Sequence, residues 1–194
     1  MGSDPIDRSW RVPSEERLNV FALVVYIPGP LGKFLDDLRR ELVPSYNPHA
    51  HVSLLPPRPL AVDWRLASDQ TRALMDRWPP FDIELTGIEI FPVTDVIYIE
   101  VGAGAAELRR MHEALNAGAL KFQDPFPYHP HITLAQELPG DRVAAIGELA
   151  RLRWREYRGP RSCRVEQAVF VQNTLHDCWI DLAEYALAGR PAKS

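Results

Sequence analysis

Two short segments carry the residues best suited to chemistry, His49-Ala-His-Val-Ser-Leu54 and His129-Pro-His-Ile-Thr-Leu134. They place four of the six histidines at an offset of 80, each second histidine two residues before a hydroxyl. Side chains alternate faces along a strand, so His49, His51 and Ser53 share one side while Val52 and Leu54 turn to the other. The same parity groups His129, His131 and Thr133 against Ile132 and Leu134. Residues two apart on a strand are separated by roughly 6.6 Å, a span over which an imidazole and a hydroxyl can both touch one phosphate group. Two such pairs converging on one point suit phosphodiester chemistry. A neutral imidazole takes a proton from the attacking oxygen and a protonated one supplies the leaving oxygen. Ser53 and Thr133 would donate hydrogen bonds to the non-bridging oxygens, where charge accumulates. No metal is required by this scheme.

The elements that must position these residues follow from apolar periodicity and breakers. A buried strand is predicted over 18–28 and a helix over 31–43, with Leu31, Phe34, Leu35, Leu38 and Leu42 on one face. A short strand around 49–55 is expected to stop at Pro56-Pro57. A helix over about 63–78, strands at 81–91 and 95–102, and a helix at 105–117 come next. A strand at 129–136, a helix at 141–154 and strands at 163–172 and 177–187 complete the chain. Within 81–91 the apolar phase changes at Thr86-Gly87, which predicts a bulge or bend. The expected fold is α+β with antiparallel or mixed sheets.

The offset of 80 also superposes Ile83–Phe91 on Cys163–Val171, and with one extra residue YIEV at 98–101 falls on WIDL at 179–182. Each half then reads strand, helix, histidine-bearing strand, helix, strand, the pattern of a duplicated unit about a pseudo-two-fold axis. This gives one two-lobed domain over 18–188, flanked by tails at 1–17 and 189–194.

The pairs HVSL at 51–54 and HITL at 131–134 resemble the two signature motifs of the two-histidine (2H) phosphoesterases, which include bacterial 2′-5′ RNA ligases and 2′,3′-cyclic nucleotide phosphodiesterases. The resemblance extends over about 18–187. It implies a bilobal fold with the motifs lining a central cleft, catalysis by His51 and His131, phosphate binding by Ser53 and Thr133, and no obligatory cofactor. The substrate it implies is an RNA-type phosphodiester, either a 2′,3′-cyclic phosphate or a 2′-5′ linkage, cleaved or ligated.

Other residues are weaker candidates. His49, His129, Arg58, Lys121 and Tyr128 are placed at the substrate rim by nearness in sequence. Residues 151–164 hold six arginines with Trp154 and Tyr157; they would either follow an RNA backbone or form a solvated helix end. Two alternatives stay open: a metal-dependent hydrolase using the four imidazoles as ligands, and a nucleotide- or RNA-binding module without turnover. The formal charge of −4 excludes the broad basic surface of a duplex-coating protein. The longest apolar run, Phe21–Ile27, is too short to cross a membrane, and no leader is visible. Hairpin symmetry about Thr174–Leu175 would set Cys178 against Val171 and Cys163 against Ala186, so both thiols are expected to be reduced and buried. A cytoplasmic monomer with no obligate protein partner and no membrane attachment is the resulting expectation.

Overall fold

The computed structural model describes residues 12–43 and 49–189. A 3-10 turn at Ser14–Glu16 leads into β1 (Arg17–Tyr26), α1 (Gly29–Leu42), β2 (His51–Arg58), α2 (Trp64–Met75), β3 (Phe81–Ile90) and β4 (Ile97–Val101). Then follow α3 (Ala105–Leu115), β5 (His131–Ala135), α4 (Gly140–Glu156), β6 (Ser162–Val165), β7 (Gln167–Thr174) and β8 (Trp179–Ala186). Pro30 sits in the first turn of α1, where its missing N–H costs nothing, and the Asp63 carboxylate accepts from Arg65 N to cap α2.

The strands form two four-stranded sheets, β2-β1-β7-β8 and β5-β4-β3-β6, antiparallel throughout. The expected α+β class with a duplicated plan is therefore the fold observed, in its purely antiparallel form. The register exposes the symmetry. In the first sheet Tyr26 faces His51 and Val24 faces both Ser53 and Val169. In the second, Glu100 faces His131 and Tyr98 faces both Thr133 and Glu89. The three-strand unit β2-β1-β7 thus repeats as β5-β4-β3, with the last strand of each half lent to the other sheet. The helices are exchanged as well: α3 covers β2, whereas α1 covers β5.

Three details correct the sequence expectations. Because β4 takes the place that β1 holds in the other sheet, Tyr98–Glu100 is the spatial counterpart of Val24–Tyr26, and the match of YIEV to WIDL on edge strand β8 is not part of the symmetry. β2 runs through Pro56-Pro57 to Arg58, which is possible because β2 is an edge strand with one side free of ladder partners. The 163–172 strand is two strands: β6 pairs with β3, and after Glu166 the chain crosses to the other sheet as β7 beside β1. That break falls at the offset of 80 from Thr86, where β3 carries the expected register shift between Leu85 and Ile88. The Thr86 carbonyl accepts from Trp154 Nε1 at 2.7 Å.

The cysteines also depart from expectation. The β7–β8 ladder ends with Asn173 opposite Trp179, so the turn is centred on His176 rather than at Thr174–Leu175, and Cys178 lies in it, exposed. Cys163 is half-buried; both are free thiols. One continuous apolar core fills the space between sheets and helices, including Leu23, Val52, Leu54, Ile99, Leu108 and Ile132, all nearly inaccessible to solvent. No helix among the described residues is long and apolar enough to cross a membrane.

Candidate active site

The two motifs occupy β2 and β5, each an edge strand of its own sheet, and the two strands lie against one another. Their burial alternates identically. Val52, Leu54, Ile132 and Leu134 are at most 2% exposed in the core, while His51, Ser53, His131 and Thr133 are half-buried on the opposite face. Burying four large aliphatic side chains at about 1.5–3 kcal/mol each fixes the strand parity, and a one-residue slip would bury the histidines instead.

Both imidazoles are held in the same way. His51 Nδ1 donates to the His49 carbonyl at 2.7 Å, and His131 Nδ1 donates to the His129 carbonyl at 2.6 Å. With Nδ1 so engaged, Nε2 is the nitrogen left to accept or give a proton. Burial pushes the His51 imidazole down to about 4, with the cations Arg39 and His131 adding to the shift and the His49 hydrogen bond and Asp36 opposing it. Burial also lowers His131, against the opposing pull of the His129 carbonyl and Glu100. Their surroundings differ. The His131 ring meets Phe91 and Tyr98 edge-on at 5.0 and 5.3 Å, and these two aromatics stack on each other at 3.9 Å. His51 meets the edge of Tyr26, whose hydroxyl donates to Asp181 at 2.7 Å.

A cavity of about 510 Å³ opens beside His131 and takes in Ser53 and Thr133. Its walls are mostly apolar, with Phe91, Val93 and Phe126 among them, and Gln136 contributes an amide. Val93 and Phe126 stay largely exposed, as binding walls do and core residues do not.

The rim candidates divide. Arg58 is not at the rim: it is 2% exposed, and its guanidinium donates to Pro56 O, Asn116 Oδ1, Leu120 O and both oxygens of Asp124. Tyr128 lines the cavity, yet its hydroxyl donates to Ser53 O at 2.8 Å and its ring stacks on His112 at 3.9 Å. His112 in turn donates from Nδ1 to Leu54 O. Together these groups clamp the 120–128 loop onto β2. Lys121 is exposed and faces a separate groove with Phe122. The His49 ring is turned to Asp36 and the His129 ring to Glu100, at 2.9 and 2.7 Å. The four imidazoles therefore do not share one centre, and among the described residues no three His, Cys, Asp or Glu side chains form a metal-ligating group.

Much of the arginine-rich segment is engaged within the fold. Trp154 is buried, Tyr157 stacks on Phe34, Arg161 lies over the Trp154 ring, and Arg153 pairs with Glu41 and Glu156. Sequence reasoning missed Tyr26, Asp36, Phe91, Tyr98 and Glu100. Tyr26 and Glu100 were signalled only by their positions opposite the two histidines, which become visible once the strand register is known.

Two related halves that set their His-x-Ser/Thr strands against one another have the plan of the two-histidine phosphoesterases. The model of the 2′-5′ RNA ligase superfamily matches residues 27–177. A provisionally named phosphoesterase of Geobacillus kaustophilus is 27% identical over 135 residues, 65% of this chain and 74% of that protein. The RNA 2′,3′-cyclic phosphodiesterase of Aeropyrum pernix is 35% identical over 81 residues, 39% of this chain and 46% of its own. Among solved structures, TT0787 of Thermus thermophilus superposes with a TM-score of 0.65 over 89% of this chain and 100% of that one, at 19% identity. E. coli LigT complexed with 3′-AMP gives 0.61 over 89% and 98%, at 16% identity. This chain belongs to the 2′-5′ RNA ligase superfamily and is a phosphodiesterase-type enzyme of that group.

Proposed function

We propose that the protein hydrolyses the 2′,3′-cyclic phosphate of a nucleotide or RNA end by acid/base catalysis between His51 and His131. The observation that carries this is the matched hydrogen bond at both histidines, Nδ1 to the carbonyl two residues earlier, which leaves two Nε2 atoms for proton transfer. His51, pushed down to about 4, stays neutral across the working range and takes the proton of the attacking water. His131 gives its proton to the leaving ribose oxygen; the anionic phosphate beside it favours its charged form. The P–O bond to that oxygen breaks as the bond to water oxygen forms, and the product is a phosphomonoester. Ser53 and Thr133 donate to the non-bridging oxygens. The apolar cavity alongside suits a base, with Phe91 and Phe126 as stacking surfaces. With an RNA 5′-hydroxyl in place of water as the attacking group and the 3′ oxygen leaving, the same pair would serve 2′-5′ ligation. One relative, named an RNA 2′,3′-cyclic phosphodiesterase, supports the choice.

The test is a panel of 2′,3′-cyclic nucleotides, 2′-5′ dinucleotides and 3′-5′ dinucleotides, with product positions assigned. Turnover of the cyclic phosphates to a single phosphomonoester isomer is expected. Cleavage of 2′-5′ dinucleotides with cyclic phosphates untouched would overturn the proposal.

A further inference from the structure

We infer that Asp36 and Glu100 are positioning residues for His51 and His131, each bracing the segment whose carbonyl fixes the tautomer of the histidine that follows. The inference rests on the proposed pairing of those histidines. A carbonyl can orient an imidazole only as firmly as the carbonyl itself is held. Both carbonyls, of His49 and His129, lie just before their strands, where the ladder gives out: the last register pairs are Tyr26 with His51 and Glu100 with His131. Something other than sheet pairing must hold them.

In the first half that group is Asp36 on α1. Its Oδ1 accepts the Ala50 N–H at 2.6 Å, and its Oδ2 accepts from His49 Nδ1 at 2.9 Å. The Ala50 N–H and the His49 carbonyl belong to one planar peptide unit. Asp36 grips that plane by one edge and His51 takes the other. Ala50 O, on the next peptide, accepts from Ile27 N at 2.9 Å. The Asp36 side chain is 17% exposed, with Arg39 Nη1 at 3.8 Å.

In the second half the corresponding peptide precedes Pro130 and has no N–H to grip. Here Glu100, opposite His131 on β4, accepts from His129 Nε2 at 2.7 Å, and the proline ring restricts φ in place of the missing hydrogen bond. The two braces come from different elements, a helix and a strand, although the histidines they serve are symmetry mates. The difference between HAH and HPH therefore has a chemical content. Asp36 holds its segment by two bonds, whereas Glu100 holds its own through the His129 ring alone.

That asymmetry makes the inference testable. Asp36→Ala and Glu100→Ala should each lower kcat on a 2′,3′-cyclic nucleotide by about 10- to 100-fold, the scale on which misplaced catalytic groups cost rate, with KM changed less than about 3-fold. Glu100→Gln should recover most of the loss, because its amide oxygen accepts the His129 bond, and Asp36→Asn should recover the part carried by the Ala50 N–H, which its one amide oxygen still accepts. His129→Ala should match Glu100→Ala, and the double variant should lose no more than either single one. His49→Ala should cost less than Asp36→Ala, because the Ala50 bond survives it. Nitrogen-15 NMR of the imidazoles supplies a readout independent of turnover: His51 should leave the Nδ1–H tautomer in Asp36→Ala, and His131 in Glu100→Ala. Alanine variants with unchanged kcat, unchanged tautomers, or losses that the amide variants share in full would overturn the inference. If the wild-type protein turns over no cyclic phosphate, the proposed function fails, and the tautomers alone still decide the bracing.

Discussion

Replacing Arg58 separates a structural arginine from a substrate-binding one. The side chain is 2% exposed and donates to five acceptor atoms on four residues, among them both carboxylate oxygens of Asp124 at 3.2 and 3.0 Å and Leu120 O at 3.1 Å. Arg58→Ala leaves the 14%-exposed Asp124 carboxylate without its ion partner and strips the Leu120 carbonyl of its guanidinium donor. Breaking a buried ion pair from one side costs about 3–5 kcal/mol. For a chain of this size each kcal/mol moves Tm by roughly 2–4 °C, so a fall of about 6–20 °C is expected. Arg58→Lys keeps the charge but cannot reproduce the fork, and should recover only part of the loss. Arg58→Met combined with Asp124→Asn should be more stable than Arg58→Met alone, because no unpaired charge remains. Urea denaturation with a shared slope measures all four, and KM on a cyclic nucleotide is read for each. An Arg58→Ala protein as stable as wild type, with KM raised at least tenfold, would show that the guanidinium binds substrate and that its buried network is incidental.

Three further outcomes follow from the site. With His51 neutral and His131 protonated as the productive form, kcat/KM should rise as pH climbs through about 4 and fall again below the ordinary imidazole value of about 6.5, a bell measured from pH 3.5 to 8.5 whose limbs belong to the pair; both limbs above pH 7 would refute the burial argument. Ser53→Ala and Thr133→Ala should each cut kcat by about 10²-fold through weaker stabilisation of the developing charge, against little change in melting temperature; rates within 2-fold of wild type would remove them from the site. Exhaustive chelation should leave the rate unchanged, whereas loss with recovery on adding a divalent metal would revive the ligand role of the histidines.

Much of this site was legible from residue order because strand parity is a strict rule. The alternation in HVSL and HITL fixes which residues face the core, and the burial of Val52, Leu54, Ile132 and Leu134 follows from it. The bulge at Thr86-Gly87 was legible for the same reason, as a change of phase. Features set by tertiary pairing were not. Nothing local distinguishes the halves of the 163–172 run, yet one half joins each sheet. The resemblance of YIEV to WIDL was real as sequence but did not correspond to equivalent places. Arg58 was misjudged because nearness along the chain says nothing about burial, and its partners Asn116, Leu120 and Asp124 lie far along the chain on a loop that folds back. Asp36 and Glu100 were invisible because each acts across an interface between elements.

The central claim, that His51 and His131 act as one acid/base unit, is tested most directly by a double-variant cycle on a 2′,3′-cyclic nucleotide under single-turnover conditions. His51→Ala and His131→Ala should each reduce the rate by about 10²–10⁴-fold, the usual worth of a general acid or base. The double variant should lose far less than the product of the two, because groups that act together are not additive. A folded His51→Ala protein retaining full turnover of the substrate that His131→Ala abolishes would contradict the paired mechanism.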